Sequence, residues 1–108
     1  MINSTLGIQS WCFRGLKGAP EIIAALTACG VNRLEACGIH IDLDHPAESL
    51  KIYRDAGITI SAFGVNFFGP DEAAARKVFE FAALAGFPAI NADLSSDSID
   101  LVEKLCSE

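Results

Sequence analysis

The chain has 108 residues, of which 51% are hydrophobic and 20% are charged, and its formal net charge is −6. This composition is too apolar for a disordered chain, and the length suffices for one domain with one modest core. The acidic balance argues against nucleic acid or an anionic membrane as partner, and no apolar run reaches the ~20 residues of a membrane span. The start, Met1-Ile2, does not open a secretory signal, so we expect a cytoplasmic protein.

The hydrophobic pattern predicts four strands that alternate with four helices. Pro20 and Pro46 open the first two helices, because the first turn of a helix does not need the missing N–H. The third helix is expected to begin near Pro70-Asp71, and Asp97 is expected to cap the fourth. The predicted strands are short and apolar, as buried parallel strands are, and span residues 6–10, 33–36, 59–63 and 89–92.

Each predicted helix carries an apolar stripe that we expect to face the sheet. The stripes comprise Ile22, Ile23, Leu26 and Cys29, then Leu50, Tyr53 and Ala56, then Ala74, Val78, Phe81, Ala82 and Ala85, and finally Leu101, Val102 and Leu105. Cys29 and Cys106 are accordingly expected to be buried as small apolar side chains. Cys12 and Cys37 each follow a predicted strand, and we expect reduced thiols there, with a shared thiol function as the alternative.

A repeated junction from helix to strand organises the chain. Gly30, Gly57 and Gly86 each follow a helical segment and precede a short apolar strand, at intervals of 27 and 29 residues. Glycine at this place can adopt the left-handed conformation that ends a helix. A period of about 30 residues accommodates one strand, one helix and two loops. The strict alternation therefore predicts parallel strands joined by right-handed crossovers.

Two architectures fit this alternation, an open doubly wound sheet and a stretch of barrel. The loop after the first strand holds Gly15 and Gly18 without a G-x-G-x-x-G motif, and the chain has no G-x-x-x-x-G-K-[ST] motif. The absence of both motifs excludes the usual nucleotide-binding forms of the open sheet, and this favours the barrel. The predicted fold class is α/β, a (βα)4 half of a TIM barrel with outer helices. Residues 1–108 form its single domain, whereas a complete barrel usually needs ~250 residues.

Four segments carry a family resemblance that extends over essentially the whole chain. They are LGIQSWCF at 6–13, GVNRLEACGIH at 30–40, AGITISAFG at 56–64, and the third helix with the fourth strand at 71–93. In this order they resemble the N-terminal half of the xylose-isomerase-like TIM barrel superfamily, which includes sugar phosphate isomerases, epimerases and inosose dehydratases.

That resemblance implies an enzyme with a divalent metal (Mn, Mg or Zn) that moves protons along a sugar or polyol substrate. In the family the metal ligands lie mainly at strand ends in the second half of the barrel. No residue of this chain matches that ligand set. We therefore expect no tightly bound metal in this chain alone, and we assign no catalytic residue.

In a barrel, functional residues gather at the carboxyl ends of the strands. Glu35 is expected either to bind a sugar hydroxyl or to serve a nearby backbone N–H or Arg, because a carboxylate in an apolar strand needs a partner. His40 is expected to contact substrate or to lie on a surface loop, and Asp93 alternatively caps a turn. A metal held by these three residues is a further alternative. The expected substrate-binding residues are Gln9, Trp11, Phe13, Glu35, His40, Asn66, Asn91 and Asp93.

Aromatic residues follow the first and third predicted strands. Trp11 and Phe13 are expected either to form an apolar wall against which a sugar packs or to close the barrel mouth. Phe67 and Phe68 allow the same two interpretations.

Two functional hypotheses remain. In the first, the chain is the N-terminal half of a metal-dependent sugar isomerase or epimerase and supplies residues of the substrate pocket. In the second, it is a truncated or engineered half-barrel that is structural and inactive by itself. A half-barrel leaves two strand edges and its apolar interior uncovered, so we expect a homo-oligomer, for instance two copies that together close one barrel.

Overall fold

The computed structural model describes residues 3–108, with side chains from Thr5 onward, so Met1 and Ile2 lie outside the described residues. Within this range strands and helices alternate as predicted. In chain order they are β1 (Asn3–Gln9), α1 (Ala19–Ala28), β2 (Val31–Ala36), α2 (Pro46–Asp55), β3 (Thr59–Phe68), α3 (Glu72–Ala85), β4 (Ile90–Leu94) and α4 (Ile99–Ser107). Short 3-10 helices follow β1 and β2, at Ser10–Phe13 and Gly38–His40.

The four strands form one parallel sheet in the order β1-β2-β3-β4. Arg33 of β2 pairs with Gly7 of β1 on one side and with Thr59 of β3 on the other. Because the order never reverses, the sheet lacks the switch point of a doubly wound α/β protein. This arrangement confirms the predicted (βα)4 half of a barrel.

The helix ends are largely those that the sequence predicts. Gly30, Gly57 and Gly86 all have positive φ angles, of 69°, 78° and 69°, and each precedes the next strand. Asp71 caps α3 by accepting a hydrogen bond from the backbone N–H of Ala74 at 3.2 Å. None of the described helices has the length and apolarity that crossing a membrane would require.

The start of α4 differs from the prediction by one residue. Ser98, not Asp97, occupies the capping position, and its hydroxyl donates to the backbone oxygen of Ser95 at 2.8 Å. The Asp97 carboxylate instead accepts a hydrogen bond from the Ser95 hydroxyl. The Asp97 carboxylate, which was expected to cap the helix, is therefore engaged in a local turn instead.

The main core lies between one face of the sheet and helices α1 to α3. Phe63 of β3 is fully buried, and its ring meets the rings of Phe81 and Phe87 at centroid distances of 5.0 and 6.2 Å. Around these rings pack buried aliphatic and aromatic side chains, among them Ile22, Leu26, Leu34, Leu50, Tyr53 and Ile58. A smaller cluster of Phe68, Ala75 and Leu105 joins α3 and α4 to the end of β3.

Several residues expected on the inner helix stripes are exposed instead. Cys29 and Ala56 follow the last residues of α1 and α2, where the chain already turns away from the sheet. Ala74 lies in the first turn of α3 and is exposed, whereas the next residue, Ala75, is buried. Cys106 is exposed because it follows the buried Leu105 on α4, and consecutive helical residues point about 100° apart.

Strand β3 is longer than the sequence predicts, because Gly64 does not end it. The strand continues to Phe68, and its register with β4 shifts between Phe63 and Asn66. A Cβ atom at Gly64 would lie 2.6 Å from the backbone oxygen of Asn91 and 2.8 Å from the Asn91 Cβ. Glycine is therefore required here for β3 and β4 to approach each other closely.

Candidate functional site

The face of the sheet turned away from the helices carries polar residues near the carboxyl ends of the strands. We call it the inner face. Glu35 of β2 pairs in register with Gln9 of β1 and Ala62 of β3. Its chain neighbours Leu34 and Ala36 are fully buried, and side chains alternate along a strand. Glu35 therefore projects from the inner face.

Glu35 is hydrogen-bonded to Asn91 of β4, and Asn91 is in turn hydrogen-bonded to Asn66 of β3. The Asn91 side-chain amide donates to one Glu35 carboxylate oxygen. The Asn66 amide donates to the backbone oxygens of Phe63 at 3.1 Å and Asn91 at 3.2 Å. Glu35, Asn66 and Asn91 thus form a polar cluster, in which the second carboxylate oxygen and both amide oxygens have no hydrogen-bond partner among the described residues.

Gln9 is tied into the structure by both ends of its amide. Its Nε2 donates to the backbone oxygen of Gly64 at 2.9 Å, and its Oε1 accepts from the Trp11 N–H at 2.8 Å. These bonds join the end of β1 to the middle of β3 and fix the turn that carries Trp11. Gln9 therefore holds the site in shape, and its amide has less capacity for a ligand than the polar cluster has.

An apolar groove of about 550 Å³ lies beside these residues, beyond the ends of β1, β2 and β3. Phe67 is its most exposed side chain, at 81%, and the guanidinium of Arg14 lies 5.6 Å from the centre of the Trp11 ring. An exposed apolar surface of this kind is typical of a binding site or an interface. The groove is lined by Gln9, Trp11, Cys37, Gly38, Ile39, Val65 and Phe67.

A second cavity, of about 450 Å³, opens at the opposite end of the sheet. Arg33 and Arg54 line it together with Thr59 and the turn between α3 and β4. Barrel proteins carry their chemistry at the carboxyl ends of the strands. We therefore locate the candidate site at the apolar groove and the polar cluster.

The predicted aromatic wall is formed by only some of its expected members. Trp11 lines the groove, whereas Phe13 is half-buried and packs against the main core. Phe67 is exposed in the groove, and the adjacent Phe68 is buried on the other face. Asp93 is exposed within β4, where its backbone pairs in register with Phe67, and its carboxylate makes no hydrogen bond in the described part of the chain, so its alternative role as a turn cap is wrong.

His40 is buried, with 6% of its surface exposed, so its interpretation as a surface-loop residue is wrong. The 3-10 helix after β2 folds the ring back beneath the loop after β1. There Nε2 lies 2.8 Å from the backbone oxygen of Leu16, and Nδ1 lies 3.5 Å from Cys37 Sγ. The contact with Leu16 joins two loops that are 24 residues apart in sequence. No local pattern in the sequence indicates it.

The carboxylate, imidazole and thiol groups do not form a metal site among residues 3–108. No set of three or more His, Cys, Asp or Glu side chains in this range is placed to hold an ion. The alternative metal site of Glu35, His40 and Asp93 is therefore wrong. His40 has both ring nitrogens engaged, and Glu35 is bonded to Asn91.

Tyr53, the single tyrosine of the chain, is expected to titrate with a pKa of about 12. Burial raises its pKa from the ordinary 10.0, and the nearby Cys37 adds to the shift. The tyrosine hydroxyl donates to the backbone oxygen of His40 at 3.0 Å. Ultraviolet absorbance of tyrosinate during an alkaline titration measures this pKa directly.

The same shift makes stability depend on pH. The neutral phenol stabilises the fold fully below pH 10.0, and this contribution is lost as pH rises towards about 12. Phenylalanine cannot ionise, so the Tyr53→Phe variant should lose less stability than the unaltered protein between pH 10 and pH 12. Urea denaturation at a series of pH values measures the free energy of unfolding of both proteins. A normal midpoint near 10 in the folded protein would contradict the expectation.

His45, the second histidine, precedes α2 and is exposed. Its Nδ1 lies 2.9 Å from Asp42, and this hydrogen bond raises the pKa of His45 above 6.5 and lowers that of Asp42. Asp42→Asn should lower the pKa of His45 in an NMR titration of the ring. Asp44→Asn is the matched control, since Asp44 is the weakest contributor to the shift and should change the pKa little.

Comparisons with known proteins support the fold and give no information about the function. No protein-family model matches the chain, and no curated protein does. Among solved structures, the chain resembles a crystal structure of an uncharacterized protein from Parabacteroides distasonis ATCC 8503, with a TM-score of 0.76 and 23% identity. The match covers 94% of this chain and 48% of that one. At this identity the likeness shows the fold alone, and the chain spans about half the length of its neighbour.

Proposed function

We propose that this chain is half of a (βα)8 barrel of the xylose-isomerase-like type and forms one wall of a pocket for a sugar or polyol. The observation that carries the proposal is the polar cluster beside an apolar groove at the carboxyl ends of the strands. A sugar presents hydroxyl groups at its edge and C–H groups on its face, so both kinds of surface are needed to bind it. Cytoplasmic sugar isomerisation or epimerisation is the activity we propose for the complete barrel.

Each residue of the wall has a distinct part in this proposal. The unbonded oxygen of Glu35 accepts a hydrogen bond from a sugar hydroxyl, and a bond to a charged acceptor is the stronger kind. Asn91 holds the carboxylate in place through its amide. Trp11 offers an exposed aromatic face to the C–H side of the ring, and Gln9 fixes the turn on which Trp11 lies.

The metal that the resemblance implies does not fit the residues of this chain. The carboxylate of Glu35 already accepts the Asn91 amide, and no further acidic or imidazole side chain joins it among the described residues. The metal ligands of the proposed enzyme therefore belong to the other half of the barrel. The part played by this chain is binding and orientation of substrate.

An NMR titration of the chain with a panel of aldoses, ketoses and polyols tests the binding role. We expect shifts of the Asn91 and Asn66 side-chain amides and of the Trp11 indole, without shifts on the helices. Glu35→Gln should weaken binding by about tenfold or more, since a hydrogen bond to a charged group is lost. Glu80→Gln, on the exposed part of α3, removes the same charge and should leave binding unchanged.

A sugar that shifts helical and sheet residues alike, or equal binding by both variants, would count against the pocket. Aldose–ketose interconversion and epimerisation assays with manganese or magnesium should show no turnover by this chain alone, since the proposed metal ligands lie in the other half of the barrel. An absence of sugar binding would favour the alternative of a structural half-barrel.

A second candidate function is self-association into a closed barrel. It rests on four exposed apolar side chains at the mouth of the sheet: Trp11, Ile39, Val65 and Phe67. Strands β1 and β4 also each pair with one neighbour within the described sheet. Edges and apolar faces of this kind favour association with a second copy.

Light scattering after size-exclusion chromatography measures this association. We expect a dimer or larger assembly that Phe67→Asp disrupts, because the charge would be buried at the contact. Leu84→Asp is the matched control, since Leu84 is also exposed, at 58%, but lies on α3. A monomer in the unaltered protein would rule out this function while leaving sugar binding open.

A further inference from the structure

Cys37 follows the last residue of β2 and lines the apolar groove. Its sulfur accepts a hydrogen bond from the hydroxyl of Ser10 at 3.0 Å, and its backbone N–H donates to the same hydroxyl at 2.8 Å. Ser10 is itself fully buried at the end of β1. Cys37 is buried, with 6% of its surface exposed, so its thiol is held in one place beside the groove, unlike the exposed thiols of Cys12, Cys29 and Cys106.

The hydrogen bonds of His40 determine which of its ring nitrogens faces the thiol as a base. Nε2 lies 2.8 Å from the backbone oxygen of Leu16, and a carbonyl oxygen can only accept, so Nε2 carries the hydrogen. In the neutral ring Nδ1 is then an acceptor, and it lies 3.5 Å from the Cys37 sulfur. A nucleophile, a base within reach of it, and a third group that orients the base form the arrangement of an activated thiol.

The groove indicates what such a thiol would meet. Besides Gln9 and Gly38, its other lining residues are aliphatic or aromatic and exposed to solvent: Trp11, Ile39, Val65 and Phe67. This surface suits a compact apolar molecule rather than an ion. We propose that Cys37 is a covalent modification site for apolar α,β-unsaturated carbonyl compounds, with His40 as its base. The proposal does not depend on sugar binding.

The reaction is an addition that needs no further reactant. The S–H proton passes to His40 Nδ1 while the sulfur forms a bond to the β-carbon of the compound. The carbon–carbon double bond opens to an enolate, and the proton returns from Nδ1 to the α-carbon. Nothing is oxidised or reduced. The Ser10 hydroxyl donates to the sulfur as its negative charge develops, and the Leu16 oxygen accepts from the imidazolium.

N-Ethylmaleimide, an apolar reagent of this class, provides the probe. The unaltered protein is treated with less than one equivalent, and the labelled cysteine is identified by peptide mapping. We expect Cys37 to be labelled before the exposed Cys12, Cys29 and Cys106, and we expect this preference to disappear in urea. Labelling of the three exposed thiols first, with Cys37 reacting only after unfolding, would overturn the proposal.

Variants then test the base. In a chain with Cys12, Cys29 and Cys106 replaced by serine, His40→Gln should lower the alkylation rate on the order of 100-fold, as loss of a general base does. Ser10→Ala, which leaves the imidazole in place, should lower the rate in the same direction. Circular dichroism establishes that each variant is folded, and an unchanged rate in folded His40→Gln would exclude the base role.

Discussion

Replacement of Gly64 by alanine should destabilise the protein by about 3 kcal/mol, as overpacking of a close contact does. The new Cβ would lie 2.6 Å from the backbone oxygen of Asn91, a distance that real Cβ contacts do not reach. Relief requires β3 and β4 to move apart, which would also disturb the bond between Asn91 and Glu35. Urea denaturation followed by circular dichroism measures the change in the free energy of unfolding.

Gly69→Ala is the matched control for this prediction. Gly69 directly follows β3, and a Cβ built there meets no atom within 4 Å. Its free energy of unfolding should stay within about 0.5 kcal/mol of the unaltered protein. If the two alanine variants were equally stable, the close approach of β3 and β4 at Gly64 would be wrong.

Phe63→Ala should lower the free energy of unfolding by about 4 kcal/mol, because it empties the centre of the main core. The ring is fully buried and meets the edges or faces of Phe81 and Phe87. A domain of this size has a total stability of about 5–15 kcal/mol, so the loss would be a large share of it. Thermal and urea denaturation both report the effect.

The same substitution at Phe67 tests whether burial is the cause. Phe67 is on the same strand, and 81% of its surface is exposed. Phe67→Ala should change the stability of the monomer by no more than about 0.5 kcal/mol. A similar loss in both variants would mean that the apolar groove is closed in solution, for example by a second copy.

The alternation of strands and helices can be predicted from the sequence because its signals are local. Gly30, Gly57 and Gly86 end their helices with a conformation that other residues adopt only at a cost. Pro20 and Pro46 lie in the first turns of α1 and α2, as expected. Each signal depends on a few adjacent residues, so no knowledge of the packed structure is needed to interpret it.

The length of β3 could not be predicted in this way. Gly64 is typical of a strand end in the sequence, and its actual role depends on Asn91 in the neighbouring strand. The burial of His40 likewise depends on Leu16, which is 24 residues away and reaches it only after β1 and β2 have paired. Contacts between distant segments carry no local pattern, and this is why both expectations failed.

The rule that barrel function lies at the carboxyl ends of strands had partial success in locating the candidate site. It selected Glu35, Asn66 and Asn91, which the fold brings together although they lie on three different strands. It also selected Phe13, which packs into the core. The rule gives the end of the strand but not the direction of the side chain after it, since that direction depends on the turn.

The unreversed order of the strands has a consequence for how the chain can assemble. Within residues 3–108, each strand pairs with the strand one βα unit before or after it, so the pairing of a unit does not require a distant part of the sequence. Pairing two strands that are close in sequence closes a short loop, which costs little conformational entropy. Proteins whose contacts are mostly short-range in sequence fold comparatively fast. Each unit can therefore dock onto its predecessor in the order of synthesis, from the amino end onward.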